Sequence, residues 1–227
     1  TDEQAEGWRA VADRVHEEGG TLFMQIMHGG RTSHPDLIDG ANPEAPSAFD
    51  WGGTVRGFAG KMGAPVPREL KKEELPRIVD EFRQGARRAI DAGVDGVEIH
   101  GANGYLLHEF MAPSANKRED EFGGSPENRW RLPEMVIRAV VEEIGADRVG
   151  VRFSPAHNVQ GVIEDDQEDM LATYGGLLDA LAPLNLAYVS LLHGEPDSEL
   201  IATLAQKARA NGVTKVLMND GLSLIHI

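Results

Sequence analysis

Cysteine is absent from the 227 residues. That excludes a disulfide scaffold, a thiolate nucleophile and Cys-ligated zinc or iron–sulfur clusters within this stretch. Positive charge is scarce: 22 Lys and Arg face 37 Asp and Glu, a formal net charge of −15. Such a surface repels phosphate backbones and anionic lipids, so neither nucleic acid nor a membrane surface is expected as a partner. An anionic cofactor still binds where a few Arg or Lys side chains converge. No apolar run approaches the roughly 20 residues needed to span a bilayer. The first residues, Thr1-Asp-Glu-Gln, lack both the basic and apolar regions of a signal peptide and a starting Met, so the expectation is a cytoplasmic protein whose native start lies elsewhere. Also missing are a Gly-x-Gly-x-x-Gly after any strand, which weakens the Rossmann option, and a Gly-x-x-x-x-Gly-Lys-Ser/Thr phosphate loop.

What is present suits a folded domain, with 41% hydrophobic and 26% charged residues. Helix-like and strand-like segments alternate. Residues 2–18 place Trp8, Val11, Ala12 and Val15 on one helical face, with Thr1 or Asp2 as cap and Gly19-Gly20 as stop. Leu22–Met27 reads as a strand, residues 28–72 as a long Gly- and Pro-rich connection, and Leu75, Ile78, Val79, Phe82, Ala86 and Ile90 as a helical stripe. The cycle repeats with strands at Val94–Ile99, Arg148–Phe153, Leu186–Leu191 and Lys215–Met218. Helices are expected at 126–144, where Pro133 should kink or split the pattern, around Met170–Leu181 and at 197–210. Five apolar strands separated by helices imply an α/β fold with a parallel sheet buried on both faces. Periodicity alone does not separate a doubly wound sheet from a (β/α)8 barrel. Polar residues favour the barrel: Gln25, His28, His100, Asn103, Arg152 and Ser154 lie at or just after strand C-termini, where barrels build their sites.

His100 closes an apolar strand, with Asn103 and Tyr105 following in a Gly-flanked turn. Each alone reads as structure: a satisfied His, an Asn in a left-handed turn, a packed Tyr. Together they bring three hydrogen-bonding groups to one strand exit. A neutral imidazole and an amide can both donate to one carbonyl oxygen, and a phenol can deliver a proton beside it.

The run His100-Gly-Ala-Asn-Gly-Tyr-Leu-Leu-His-Glu-Phe-Met-Ala-Pro-Ser-Ala-Asn116, followed by Arg118–Ser125 and Glu127-Asn-Arg129, strongly resembles the Old Yellow Enzyme family. So do Gln25-Ile-Met-His28-Gly-Gly-Arg31 with Ser33-His34, and Val149-Gly-Val-Arg152-Phe-Ser-Pro155. The blocks stand in the family's order and spacing, over essentially residues 1–220. The resemblance implies a TIM barrel that binds FMN over the strand C-termini and uses NADH or NADPH to reduce an activated alkene, an α,β-unsaturated carbonyl or nitro compound. By position, the resemblance implies flavin contacts from His100, from Gln25 at the pyrimidine edge, and from Arg152 near N1–C2=O. A fixed guanidinium there would stabilise an anionic reduced flavin. His100 and Asn103 imply the pair that grips the substrate oxygen above the flavin. Tyr105 implies the donor that protonates the α-carbon after hydride from flavin N5 reaches the β-carbon. His28 and Arg31 are expected to shape the pocket, Gly123-Gly124 to make a tight turn, and Asn128 and Arg129 to brace the loop. The 28–72 connection, with Trp51 and Phe58, is expected to cap the site.

The same resemblance implies about five of eight barrel units. Residues 1–221 would be a partial FMN-binding domain, with two strands expected before residue 1 and the last strand and most phosphate contacts after residue 220. Leu222–Ile227 reads as a non-native tail. Alone, such an open barrel is expected to be poorly soluble or to lose FMN; complete, it is expected to be a monomer or homodimer. Two rivals stand beside this reading. One is the dienoyl-CoA reductase and amine dehydrogenase branch of the same superfamily, which appends an iron–sulfur segment; the other is a non-catalytic barrel serving as a scaffold.

Overall fold

A computed structural model describes residues 2–213 and 215–219. Thr1 as a helix cap and the tail Leu222–Ile227 lie outside the described residues. The elements in chain order are α1 (Asp2–Glu17), β1 (Phe23–Ile26), β2 (Glu44–Ala45), β3 (Thr54–Gly57), β4 (Gly60–Gly63), β5 (Arg68–Glu69), α2 (Leu75–Asp91), β6 (Gly96–Gly101), α3 (Leu106–Met111), α4 (Pro126–Ile144), β7 (Val149–Phe153), α5 (Gln167–Leu181), β8 (Tyr188–Leu192), α6 (Glu199–Ala210) and β9 (Val216–Asn219).

Five strands form one parallel sheet in the order β1-β6-β7-β8-β9, each beside its predecessor in the sheet. Sequential neighbours joined by helices are the pattern of a barrel rather than of a doubly wound sheet, whose order reverses partway. Five consecutive barrel strands are therefore present, the first four each followed by a helix among the described residues. The residues of α2 that face the sheet, Leu75, Ile78, Phe82, Ala86 and Ala89, recur at three- and four-residue spacing and are buried. They join Val97, Ile99, Val149, Val151 and Val189 in one continuous core. The helix at 126–144 is neither stopped nor divided by Pro133. The missing N–H removes one rung of its ladder, but buried Leu132, Val136, Ile137 and Val140 hold the segment against the sheet and its neighbours.

Alternate strand residues point away from the helices, into what is the barrel interior. Phe23 and Tyr188 meet there with ring centroids 5.6 Å apart. Gly96 and Gly150 lie under those rings: a Cβ at Gly96 would stand 2.4 Å from Phe23, and one at Gly150 2.2 Å from Tyr188. Small residues on β6 and β7 thus make room for large ones on β1 and β8.

The connection 28–72 is more ordered than its composition suggests. It holds the two-residue parallel pair β2–β5 and the hairpin β3–β4. Phe58 projects from the hairpin tip and is 82% exposed, while Trp51 packs on Arg31. Trp8 and Val11 of α1 remain over 40% exposed, and Trp8 borders an open cavity of about 570 Å³ shared with Met24, Gln25 and Phe82. No described helix is long and apolar enough to cross a membrane.

Candidate active site

At the end of β6 the chain turns sharply through Ala102–Tyr105, where the Tyr105 N–H donates to the Ala102 carbonyl at 3.2 Å. Both central residues have left-handed backbone, Asn103 at φ 57° and Gly104 at φ 76°. Asn-Gly is the pair that tolerates this geometry, so the local sequence dictates the turn. Several backbone groups around it are engaged. Asn103 N–H donates to Ser154 Oγ at 2.8 Å, Gly104 N–H donates to His108 Nδ1 at 2.9 Å, and the Asn103 carbonyl accepts from Gln160 Nε2 at 2.6 Å. Tyr105 stands immediately before α3, and its ring lies 5.2 Å from that of His100.

His100 and Arg152 are register partners on β6 and β7. His100 is 3% exposed. Burial first, then the positive charge of Arg152 and the nearby His108, lowers its pKa to about 4. The imidazole is therefore neutral at physiological pH, with one N–H to give and one lone pair to receive. Three atoms here are buried without a hydrogen-bond partner among the described residues: His100 Nδ1, Asn103 Oδ1 and Arg152 Nε. An unsatisfied buried polar atom costs about 1–3 kcal/mol. The three lie close together, at the C-terminal ends of β6 and β7 and in the turn that follows β6. Arg152 forms no salt bridge among the described residues and stands beside His100 in the register of β6 and β7.

Gln25 lies on the same face, one layer deeper. It is opposite Glu98 in register and donates to Glu98 Oε1 at 2.5 Å. The Tyr188 phenol also bonds Glu98; burial, then the charge of Glu98, pushes its pKa up. Sequence order thus placed Gln25, His100, Asn103, Tyr105 and Arg152 at or just after strand ends. The fold brings His100, Asn103, Tyr105 and Arg152 together at the exits of β6 and β7, with Gln25 one register layer below.

His28 lines the same cavity as Gln25, while Arg31 packs behind the turn. The His28 carbonyl accepts the Leu106 N–H, and its ring faces Glu44 at 3.6 Å. Arg31 is 1% exposed, with its guanidinium 5.5 Å and 5.3 Å from the Phe49 and Trp51 ring centroids. It donates to the Gln160 carbonyl at 3.3 Å, and so supports the residue that supports Asn103. Glu109 beside it accepts the Arg31 N–H at 2.9 Å; complete burial raises its pKa to about 8 despite the opposing Arg31 charge. Arg129 braces the loop as expected, donating to Met111 O, Gly124 O, Thr173 Oγ1 and both oxygens of Asp169, while Asn128 holds Gly123 O. His108, Gln160, Glu164 and Tyr174 carried no assignment in the sequence. Only the spacing of His108, four residues after Gly104, could have signalled a local contact.

The chain matches the family described as NADH:flavin oxidoreductase / NADH oxidase over residues 1–208. It is 50% identical over 154 residues to a putative 12-oxophytodienoate reductase-like protein 2A of Arabidopsis thaliana, covering 67% of this chain and 56% of that one. It is 47% identical over 166 residues to 12-oxophytodienoate reductase 1 of Oryza sativa subsp. japonica, covering 73% and 43%. The chain thus spans about half the length of these relatives. Among solved structures it resembles the old yellow enzyme homologue from Zymomonas mobilis, with TM-score 0.88 and 33% identity over 98% of this chain and 63% of that one. Morphinone reductase in complex with tetrahydroNAD gives TM-score 0.88 and 35% identity over 98% and 62%. With the strand order, the turn and these matches in agreement, the chain belongs to the NADH:flavin oxidoreductase / NADH oxidase family.

Proposed function

We propose that this chain is the catalytic portion of an FMN-dependent ene-reductase, which uses NADH or NADPH to reduce the activated C=C bond of a small α,β-unsaturated carbonyl or nitro compound. The observation that carries the reading is the set of unpartnered buried atoms on His100, Asn103 and Arg152 at adjoining strand ends. Arg152 Nε and, in the Nδ1–H tautomer, His100 can donate to a flavin edge or a substrate oxygen. Asn103 Oδ1 only accepts, so Asn103 would donate through its amide N–H. Arg152 supplies a fixed positive charge with a free Nε for an anionic ring edge, and Gln25 supplies an amide on the same face. When bound, FMN supplies a two-electron carrier that takes hydride from the nicotinamide and passes it to the alkene.

The remaining steps belong to this chain's side chains. His100, neutral because burial and Arg152 hold its pKa at about 4, offers an uncharged N–H that polarises a carbonyl or nitro oxygen without protonating it. Asn103 offers its amide to the same oxygen. Drawing electrons toward that oxygen leaves the β-carbon electron-poor. Tyr105, 5.2 Å from His100 ring to ring, then gives its proton to the α-carbon. Residues 1–221 are proposed to be part of a larger FMN-binding barrel, and Leu222–Ile227 not to belong to it.

The test is to express the segment with the sequence that flanks it in its gene, look for flavin absorbance, and follow NAD(P)H oxidation with cyclohexenone or N-ethylmaleimide. Tyr105→Phe is expected to slow alkene reduction by about 10²-fold or more, within the range for loss of a general acid, and to spare flavin reduction by NAD(P)H. Equal loss in both halves would remove Tyr105 from the proton-donor role.

A further inference from the structure

We propose that His108, Glu164 and Tyr174 are positioning residues: together they grip the Gly104 amide and so hold the Asn103–Tyr105 turn in the geometry from which both side chains reach the site. The proposal rests on the functional reading of Asn103 and Tyr105 given above.

Gly104 lies between those two residues, and its N–H points at His108 Nδ1 at 2.9 Å. A ring nitrogen that accepts a backbone N–H carries no proton, so the proton of a neutral His108 is on Nε2. That nitrogen faces Glu164 Oε2 at 3.2 Å, the arrangement in which Nε2–H donates to the carboxylate. Glu164 in turn accepts the Tyr174 hydroxyl at 2.9 and 3.0 Å and the Ala156 N–H at 3.1 Å. Burial, reinforced by the charge of Glu164, raises the Tyr174 pKa well above its usual value, so the phenol acts as donor. Every hydrogen bond along the path thus has one direction, and the imidazole cannot flip without losing two of them. His108 and Tyr174 are fully buried and Glu164 is 5% exposed, so water does not compete.

The network connects three segments distant in sequence: α3, the loop after β7 and α5. Among the described residues its hydrogen bond to the proposed catalytic turn is made to a backbone group, the Gly104 N–H, a contact suited to fixing orientation. His108→Asn is the discriminating substitution. An Asn Oδ1 stands close to where Nδ1 stands and can accept the Gly104 N–H, whereas His108→Leu removes the acceptor.

The experiment pairs amide hydrogen exchange with half-reaction kinetics in the flavin-loaded protein. His108→Leu is expected to raise exchange at Gly104 at least tenfold while Val97–Ile99 of β6 are unchanged, and to slow alkene reduction at least tenfold more than flavin reduction. His108→Asn is expected to recover most of both effects. Tyr174→Phe, a milder change should His108→Leu not fold, is expected to move exchange at Gly104 in the same direction by a few fold. The proposal is overturned if Gly104 exchange is the same in every variant. It is also overturned if β6 loosens equally, if Asn does no better than Leu, or if both half-reactions fall together. Absence of alkene reduction in the unsubstituted protein would defeat the functional reading instead, and the exchange data alone would then show whether the grip on the turn exists.

Discussion

Gly104 and Gly124 have nearly the same backbone, φ +76° and +78°, but different surroundings. An Ala at either position carries the strain of a left-handed conformation, about 1–2 kcal/mol. Against this, Ala restricts the unfolded chain and returns about 0.4–1 kcal/mol. At Gly124 nothing lies within 4 Å of the added Cβ, so those opposed effects are all that remain, and Gly124→Ala is expected to cost about 1 kcal/mol or less. At Gly104 the new methyl would stand 2.8 Å from the Val159 carbonyl oxygen and 2.8 Å from Gln160 Cβ. Neither is the far end of a flexible side chain, so the backbone must move; overpacking of this kind costs about 1–3 kcal/mol more. Gly104→Ala is therefore expected to destabilise by about 2–4 kcal/mol, a drop in Tm on the order of 10 °C at this chain length. The assay is thermal unfolding of the two variants side by side by circular dichroism. Equal Tm values would refute the close approach of residues 159–160 to the turn, and with it the claim that the 102–105 geometry is held from outside as well as by its own sequence. In the flavin-loaded protein Gly104→Ala should also impair alkene reduction, because it displaces Asn103 and Tyr105 together.

The titration of His100 gives a second test. Its folded pKa of about 4 lies below the ordinary 6.5, so between those pH values the unfolded chain binds one more proton than the folded one. Stability should therefore fall as pH drops from 6.5 toward 4, and His100→Gln should flatten that window; an imidazole NMR titration with a midpoint above 6 would show that His100 is neither buried nor charged upon as described. Arg129 gives a third. It is 3% exposed and holds two carbonyls and Asp169, so Arg129→Leu leaves a carboxylate and backbone groups without partners. Leaving these partly buried acceptors without donors is expected to cost about 1–3 kcal/mol in urea unfolding; no measurable loss would mean that solvent replaces the bonds freely.

The sequence by itself determined a good deal. Apolar strands without strict alternation, each followed by a helical stripe, required a parallel sheet covered on both faces, and the β1-β6-β7-β8-β9 order is that sheet. Asn103-Gly104 determined its own turn, because few residue pairs accept two successive left-handed conformations. Polar residues at the ends of apolar strands were equally legible, since a buried strand leaves such groups only at its exits. Local pattern did not reveal α3, whose six residues are all buried and therefore show no amphipathic period. It also overstated the effect of Pro133, because tertiary packing sustains a helix that propensity alone would interrupt.

Only the tertiary structure decided how the site is held. The neutrality of His100 depends first on its burial and then on Arg152, 52 positions later and adjacent only through the register of β6 and β7. The grip on Gly104 depends on Glu164 and Tyr174, which no spacing in the sequence connects to the turn. Residue types at strand ends announce what chemistry is available there. Which atoms stay protonated, which are left without partners and which backbone amide is fixed follow from contacts between segments far apart in the chain, and those exist only once the sheet has assembled.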